Sequence, residues 1–153
     1  MERYGVEMNE REIAEFLARQ GHGVLSFGGD EPYGVPISFG YDVLENRCIF
    51  QLVFSADSKK RAALDASVAV SLTTYEWNDV DDWRSVILNG SLVSIPNDTP
   101  DAVDAAEIFA ECASLVSLSV FNEPTDELDV EWYELSIESM NGRESPVRES
   151  TYE

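Results

Sequence analysis

The chain has 153 residues, 44% of them hydrophobic, and its 30 acidic against 10 basic side chains give a formal net charge of -20. That length suits one domain with a sizeable core, and that hydrophobic fraction argues against disorder. The acid excess repels phosphate backbones and anionic bilayers, so neither nucleic acid nor a membrane surface is an expected partner.

In chain order, Asn9 and Glu12 have the spacing of a capping box, and Ile13, Phe16 and Leu17 repeat at helical spacing up to Gly21. A helix is predicted over 10–20. Val24 to Phe27 reads as a strand, Gly28-Gly29-Asp30 as a turn, and Tyr33 to Tyr41 as the returning strand. Cys48 to Phe54 is a third, mostly apolar strand. Ser58 to Leu64 suits a short helix capped by Asp57 or Ser58. Val68 to Tyr75 is a fourth strand, and after the acidic stretch Glu76–Asp82 a fifth runs from Trp83 to Ile95.

Thr99-Pro100 opens a second long helix with proline at its first position, and Ala102, Val103, Ala106 and Phe109 supply its apolar face. An irregular connection from Phe121 to Asp129, broken by Pro124, leads to a sixth strand carrying Tyr133, Leu135 and Ile137. The predicted domain covers 1–140, with a polar tail over 141–153. Six strands in hairpin-like succession with few helices favour a mainly antiparallel barrel over a doubly wound parallel sheet. No apolar run nears the roughly 20 residues of a membrane span. Met1-Glu2-Arg3-Tyr4-Gly5 lacks the apolar stretch of a secretory signal. The expectation is a soluble, cytoplasmic protein, in which Cys48 and Cys112 stay reduced and buried. His22 is the single histidine, which excludes a histidine-rich metal site within one chain.

Lys59 and Lys60 are the only lysines. They stand behind Ser58 at a helix start, where free backbone N–H groups, the helix dipole and a hydroxyl all suit a phosphate. Two ordinary surface lysines remain the alternative on the residues alone. Val35-Pro36-Ile37-Ser38-Phe39 puts a proline inside a strand, which marks an edge or a bulge. Backbone left unpaired there could hydrogen-bond a flat heterocycle. Trp83-Arg84-Ser85 at a strand entrance could clamp an anionic or aromatic ligand, or be a rim tryptophan beside an exposed arginine. Asp79-Val80-Asp81-Asp82 lacks the glycine and glutamate spacing of a calcium loop and reads as a solvated turn. P-loop, nucleophile-elbow and dinucleotide fingerprints are absent, so an enzyme of this sequence would take its chemistry from a cofactor.

The ordered set Pro32-Tyr33-Gly34-Val35-Pro36-Ile37-Ser38-Phe39-Gly40-Tyr41-Asp42, Ile49-Phe50-Gln51, Ser58-Lys59-Lys60-Arg61-Ala62-Ala63-Leu64 and Trp83-Arg84-Ser85-Val86 leading to Asn89-Gly90 resembles the pyridoxamine 5'-phosphate oxidase-like FMN-binding split barrels. Within them it resembles the nitroimidazole-resistance-type branch. The resemblance spans about residues 9 to 140. It implies a six-stranded antiparallel split β-barrel with flanking helices, a homodimer, and FMN at the subunit interface. It also implies that Ser58, Lys59 and Lys60 face the phosphate and that Pro36, Ile37 and Ser38 line the isoalloxazine ring. Gln51 and Trp83, Arg84 and Ser85 would complete the pocket. Gln51 replaces the histidine usual in the branch. The arginine that reinforces the phosphate on the second strand of the true oxidases is missing, with Arg61 or Arg84 as candidate substitutes. That family's residues for pyridoxamine phosphate are not found here.

The function expected is therefore an FMN-dependent oxidoreductase acting on a small molecule. The alternatives are a non-catalytic flavin carrier or sensor, and a flavin-free acidic protein-interaction domain on the same barrel. Haem or a deazaflavin stays open as the ligand. Acid excess with lysine scarcity also resembles proteins from organisms with a salt-saturated cytoplasm. Self-repulsion costs a compact domain stability, and about 1 M salt shortens the screening length to about 3 Å. The melting temperature is thus expected to be higher in molar KCl than in dilute buffer; equal values by calorimetry would contradict a halophilic reading.

Overall fold

The computed structural model describes residues 5–29, 32–54, 69–112 and 129–146. The short helix expected at 58–64 and the connection at 121–128 lie outside those residues. The elements are β1 (Val6–Glu7), α1 (Glu10–Gln20), β2 (His22–Phe27), β3 (Tyr33–Ser38), β4 (Gly40–Asp42), β5 (Arg47–Phe54), β6 (Ala69–Asp79), β7 (Asp82–Ile95), α2 (Pro100–Cys112) and β8 (Asp129–Glu144). No helix among the described residues is long and apolar enough to cross a membrane.

Helix α1 forms as its sequence dictates. The Asn9 side chain accepts from the Glu12 N–H at 2.8 Å, and the Glu12 carboxylate accepts from the Asn9 N–H at 3.0 Å. Ile13, Phe16 and Leu17 are buried, and Gly21 ends the helix at φ 70, a left-handed backbone that favours glycine.

The strands form one antiparallel sheet in the order β3-β2-β6-β7-β8-β5-β4, with β1 paired to β8. Its two ends, β3 and β4, are consecutive strands separated by Phe39 alone, so the sheet must curl until its ends meet. The result is the antiparallel split barrel with flanking helices that the sequence led us to expect. The barrel interior holds Phe16 and Leu17 of α1 with Leu25, Phe39, Phe50, Leu72, Leu88 and Leu135. A smaller cluster of Ile49, Ile95, Ala102 and Ala105 lies outside the barrel, under α2. Phe109 meets Trp132 there edge-on at 5.4 Å. Gly40 lets α2 come this close: a Cβ at Gly40 would stand 2.8 Å from the Ile108 carbonyl oxygen and 2.9 Å from the Phe109 Cα.

The described residues form eight strands where six were expected of the chain. The returning strand divides at Phe39, whose N–H donates to the Gly21 carbonyl at 2.9 Å, one step beyond the Ser38–His22 pair, before Gly40 begins pairing with β5 instead. Strand β1 is two residues long, too short to show a period. The expected tail also begins too early: β8 continues through Glu144, with Gly142 opposite Val86 and Glu144 opposite Arg84. Polar composition there reflects a strand with one solvated face. Cys48 is a buried free thiol, as expected, and burial pushes its pKa up.

Arg47 ties four elements together. Its guanidinium donates to Asp42 at 3.0 Å, to Glu134 at 3.1 Å and to both carboxylate oxygens of Asp101, at 2.9 and 3.1 Å. Arg47 and Asp42 are buried, so removing the cation strands carboxylates that cannot all reach water. Arg47→Met is expected to cost about 3 kcal/mol of folding stability, measured by urea unfolding in molar KCl. A loss below about 1 kcal/mol would show that water reaches the three acids.

Candidate functional site

Alternation along the strands sorts the sequence-predicted residues. Pro36 and Ser38 point outward from β3 and Ile37 points inward, where it is 8% exposed in the core. Only the backbone of Ile37 is therefore available to an outside ligand. Pro36 pairs with Val24 on the edge strand β3, the position a proline without an N–H can occupy. Gln51 is exposed on β5, on the face carrying Ile49. Strands β3 and β5 touch across the barrel seam. Residues 58–60 follow β5 by a few positions, and Ser58, Lys59 and Lys60 lie outside the described residues.

Trp83 and Ser85 also point outward, from β7. Ser38 pairs with His22, and Tyr75 with Ser85. Three strand spacings thus separate Ser38 from Ser85, about 14 Å over the curved surface. Pro36 and Ser38 of β3 and Trp83 and Ser85 of β7 thus face the same side of the sheet, with β2 and β6 between them. Arg84 is not with them. Its guanidinium turns to the other side of β7 and meets Glu76 at 2.7 Å, Glu144 at 3.4 Å and Asp82 at 3.6 Å.

Several residues on this outward surface carried no signal as candidates: His22, Val24, Thr73, Tyr75, Ile87 and Asn141. What unites them is charge. The outward positions 22, 24 and 26 of β2, 34, 36 and 38 of β3, 71, 73, 75 and 77 of β6, 83, 85, 87 and 89 of β7, and 139, 141 and 143 of β8 hold no aspartate or glutamate. About one residue in five of the whole chain is acidic. Alternation in Ser71-Leu72-Thr73-Thr74-Tyr75 and Ser85-Val86-Ile87-Leu88-Asn89 could have revealed this neutral row in advance.

Two clefts differ in the same respect. One of about 560 Å³ runs along β7 and β8 between Trp83, Ser85, Ile87, Asn89, Asn141 and Arg143, with Glu7 at its rim. Its floor is apolar and its walls are amides and hydroxyls. The other, about 640 Å³, is walled by Asp42, Asp101, Asp104, Glu107 and Glu134 around Arg47. An anionic or aromatic ligand suits the first and is repelled by the second. Charge, rather than volume, selects the outward face as the site.

The family model described as pyridoxamine 5'-phosphate oxidase matches residues 9–144. An antiparallel split barrel with a neutral outer face is thus the architecture, and the chain belongs to the pyridoxamine 5'-phosphate oxidase family. No curated protein matches it in sequence. Among solved structures, a FAD-binding protein of Mesorhizobium loti aligns with TM-score 0.73 and 19% identity, over 92% of this chain and 98% of that one. The FAD-binding protein of Mycobacterium smegmatis aligns with TM-score 0.66 and 17% identity, over 94% and 100%. A candidate 5-nitroimidazole antibiotic resistance protein of Bacteroides thetaiotaomicron aligns with TM-score 0.65 and 14% identity, over 90% and 85%. These likenesses show the fold.

The strand that carries Trp83 and Ser85 is held from behind by an ion-pair chain. Arg19 of α1 grips Glu76 through two nitrogens, at 2.8 and 2.9 Å, and Arg84 shares the same carboxylate. Chiefly the Arg19 hydrogen bond, and then that of Arg84, hold the Glu76 carboxyl down at about 2 against its burial. Burial and the nearby Glu12 push Glu144 the other way. A carboxyl whose folded pKa lies below its unfolded value adds stability above pH ~4.5, and loses it as pH falls towards 2. Glu76→Gln should therefore cost roughly 1 kcal/mol at pH 7, discounted for the exposure of Arg19. The difference from wild type should shrink through that acid window; a gap constant from pH 7 to 3 would refute the assignment.

Proposed function

We propose that the chain binds FMN and uses it as an oxidoreductase acting on a small molecule. The observation that carries this reading is that outward positions 22–26 of β2, 34–38 of β3, 71–77 of β6 and 83–89 of β7 hold no carboxylate and include Pro36, Ser38, Trp83 and Ser85. A flavin needs a flat surface of neutral side chains with hydrogen-bonding edges, and a phosphate monoester needs local cations away from carboxylates. Ser38, Gln51 and the backbone of Pro36 and Ile37 supply the first. Ser58, Lys59 and Lys60, a few residues beyond β5, are assigned the second. A single short cation pair matches the one phosphate of FMN better than the diphosphate of FAD.

Trp83 and Ser85 face the same side as the ring position and close the pocket. The backbone of Arg84 continues that wall while its side chain, neutralised by Glu76 and Glu144, braces the strand. The flavin would supply the redox chemistry, and the residues of this chain bind it, orient its ring and exclude carboxylates from its surroundings. We place the chain in the nitroimidazole-resistance-type branch on the motifs of β3 and β7. Gln51 stands where that pattern carries histidine, so no histidine-dependent step is part of the proposal. The homodimer with FMN at the subunit interface belongs to the same reading. It is supported by the distance across the outward face, which lets a second copy supply the contacts that one chain spreads over about 14 Å.

Protein purified in molar KCl and supplied with FMN should show flavin absorbance that persists through desalting into the same salt. Lys60→Ala should weaken FMN binding at least tenfold, read by flavin fluorescence, with little change in melting temperature. Unchanged affinity in that variant removes the phosphate assignment, and tighter binding of FAD than of FMN would replace the cofactor.

A further inference from the structure

The first strand and the last strand meet where carboxyls outnumber cations. Val6 of β1 pairs with Glu144 of β8, and Glu7 with Arg143. The Met8 N–H donates to the Gly142 carbonyl at 2.8 Å, and Arg143 donates to the Gly5 carbonyl at 2.6 Å. Helix α1 follows at once and packs closely: a Cβ at Gly142 would stand 2.8 Å from Ile13 and 2.9 Å from the Met8 sulfur. On its outer side the same segment walls the cleft of β7 and β8. Gly5, at φ 95, lies against the Trp83 indole, where a Cβ would be 2.6 Å from the ring, and Glu7 stands at the rim.

On the side facing α1, a cleft of about 220 Å³ takes in Glu12, Glu15, Arg19, Arg84 and Glu144. Arg19 donates twice to Glu76 of β6. Arg84 meets Glu76 at 2.7 Å, but Glu144 at 3.4 Å and Asp82 at 3.6 Å. Glu15 pairs with Arg11 on the exposed surface of α1. Glu12, Glu76, Asp82 and Glu144 thus share the guanidiniums of Arg19 and Arg84. Glu12 and Glu144, both half-buried, come within hydrogen-bonding reach of each other. The capping box fixes Glu12 there, because its carboxylate accepts from the Asn9 N–H. Two carboxylates hold only acceptors; with one proton between them they form a charge-assisted hydrogen bond.

We propose that Glu12 and Glu144 share a proton that latches the N-terminal strand to the sheet, and that losing it as pH rises loosens the strand and opens the Trp83 end of the outer cleft. Strand β1 is two residues long and is strung between the two carboxyls. Val6 pairs with the backbone of Glu144, and Met8 leads directly into the cap of the helix that carries Glu12. Repulsion between the carboxylates therefore pulls at both of its ends. Burial, and then Glu12, raise the Glu144 pKa against the pull of Arg84. A group whose folded pKa lies above its unfolded value adds stability below pH ~4.5 and loses it as pH rises through the folded value. Glu76, held at about 2, titrates in the opposite sense. Its pairs with Arg19 and Arg84 stay formed throughout the range in which the latch releases. Salt does not remove the effect, since a screening length of about 3 Å at 1 M still leaves touching charges in contact. None of this depends on the flavin reading.

Amide hydrogen exchange of the full chain in 2 M KCl, followed by NMR from pH 4.5 to 7.5 and corrected for intrinsic rates, tests the latch. Protection of the Met8 amide relative to amides at the centre of β7 should fall by about fivefold or more as pH rises. The Trp83 indole N–H signal should shift over the same pH range. Glu144→Gln and Glu12→Gln should each keep Met8 protected at every pH, and the second retains an acceptor for the Asn9 N–H. Gly5→Ala, which sets a methyl group against Trp83, should leave Met8 poorly protected at every pH in a folded chain. Wild-type Met8 protection that does not change with pH overturns the proposal. So does a wild-type pH response in both glutamine variants. A Met8 response without any movement of the Trp83 signal overturns the opening of the cleft and supports the latch alone.

Discussion

Everything in this barrel depends on the single residue that joins its two sheet ends. Phe39 is fully buried, and its N–H bonds to the helix-terminating Gly21 rather than to a strand. The chain therefore leaves one end of the sheet as β3 and re-enters at the other as β4 within one step. Curling brings the two edge strands to one seam, where the proline of β3 has no ladder partner to fail. It also places β3 next to β5 across the seam. Gly40 immediately follows and lets the backbone of α2 seal the seam from outside.

Few cations serve a surface this acidic, and the structure gives most of those it describes internal work. Arg47 gathers three carboxylates from β4, α2 and β8. Arg19 and Arg84 share Glu76. Arg143 bonds the Gly5 carbonyl at 2.6 Å, holding the N-terminal strand at the rim of the outer cleft. Planar, multidentate guanidinium suits these roles, in which one cation must satisfy several acceptors. Ammonium, a point charge on a flexible stem, occurs only at Lys59 and Lys60. The division by residue type separates cations that hold the fold from those proposed to hold a ligand.

Local patterns in the sequence were enough to place most of the fold. The capping box at Asn9, the apolar stripe of α1 and the alternation in β6 and β7 each specify an element within a few residues. Two features escaped for a common reason: they are decided by distant partners. The break at Phe39 follows from a change of partner, from β2 before it to β5 after it. The extension of β8 through Asn141 and Arg143 follows from pairing with β7 and β1, which polar composition does not reveal. The site was legible as residue types and less so as geometry. Pro36 and Ser38 face outward from β3, whereas Arg84 turns to the other side of β7 from Trp83 and Ser85 because β-strand side chains alternate. The neutral face was written in the alternate positions of five strands, and only their assembled order shows that those positions adjoin.

A dianionic ligand approaching a body of charge -20 meets a field that opposes it at long range and a lysine pair that attracts it at contact. In dilute buffer the first reaches about 10 Å and outlasts the second. At molar salt the field collapses to about 3 Å, and only adjacent groups decide affinity. Carboxylates excluded from the outward face then cost the site nothing, and those elsewhere cease to matter to it. If the proposed flavin site holds, the same screening that relieves self-repulsion of the folded chain hands recognition to short contacts: ring against neutral strand surface, and phosphate against two ammonium groups. Salt, under this reading, is a component of the site as much as any side chain that lines it.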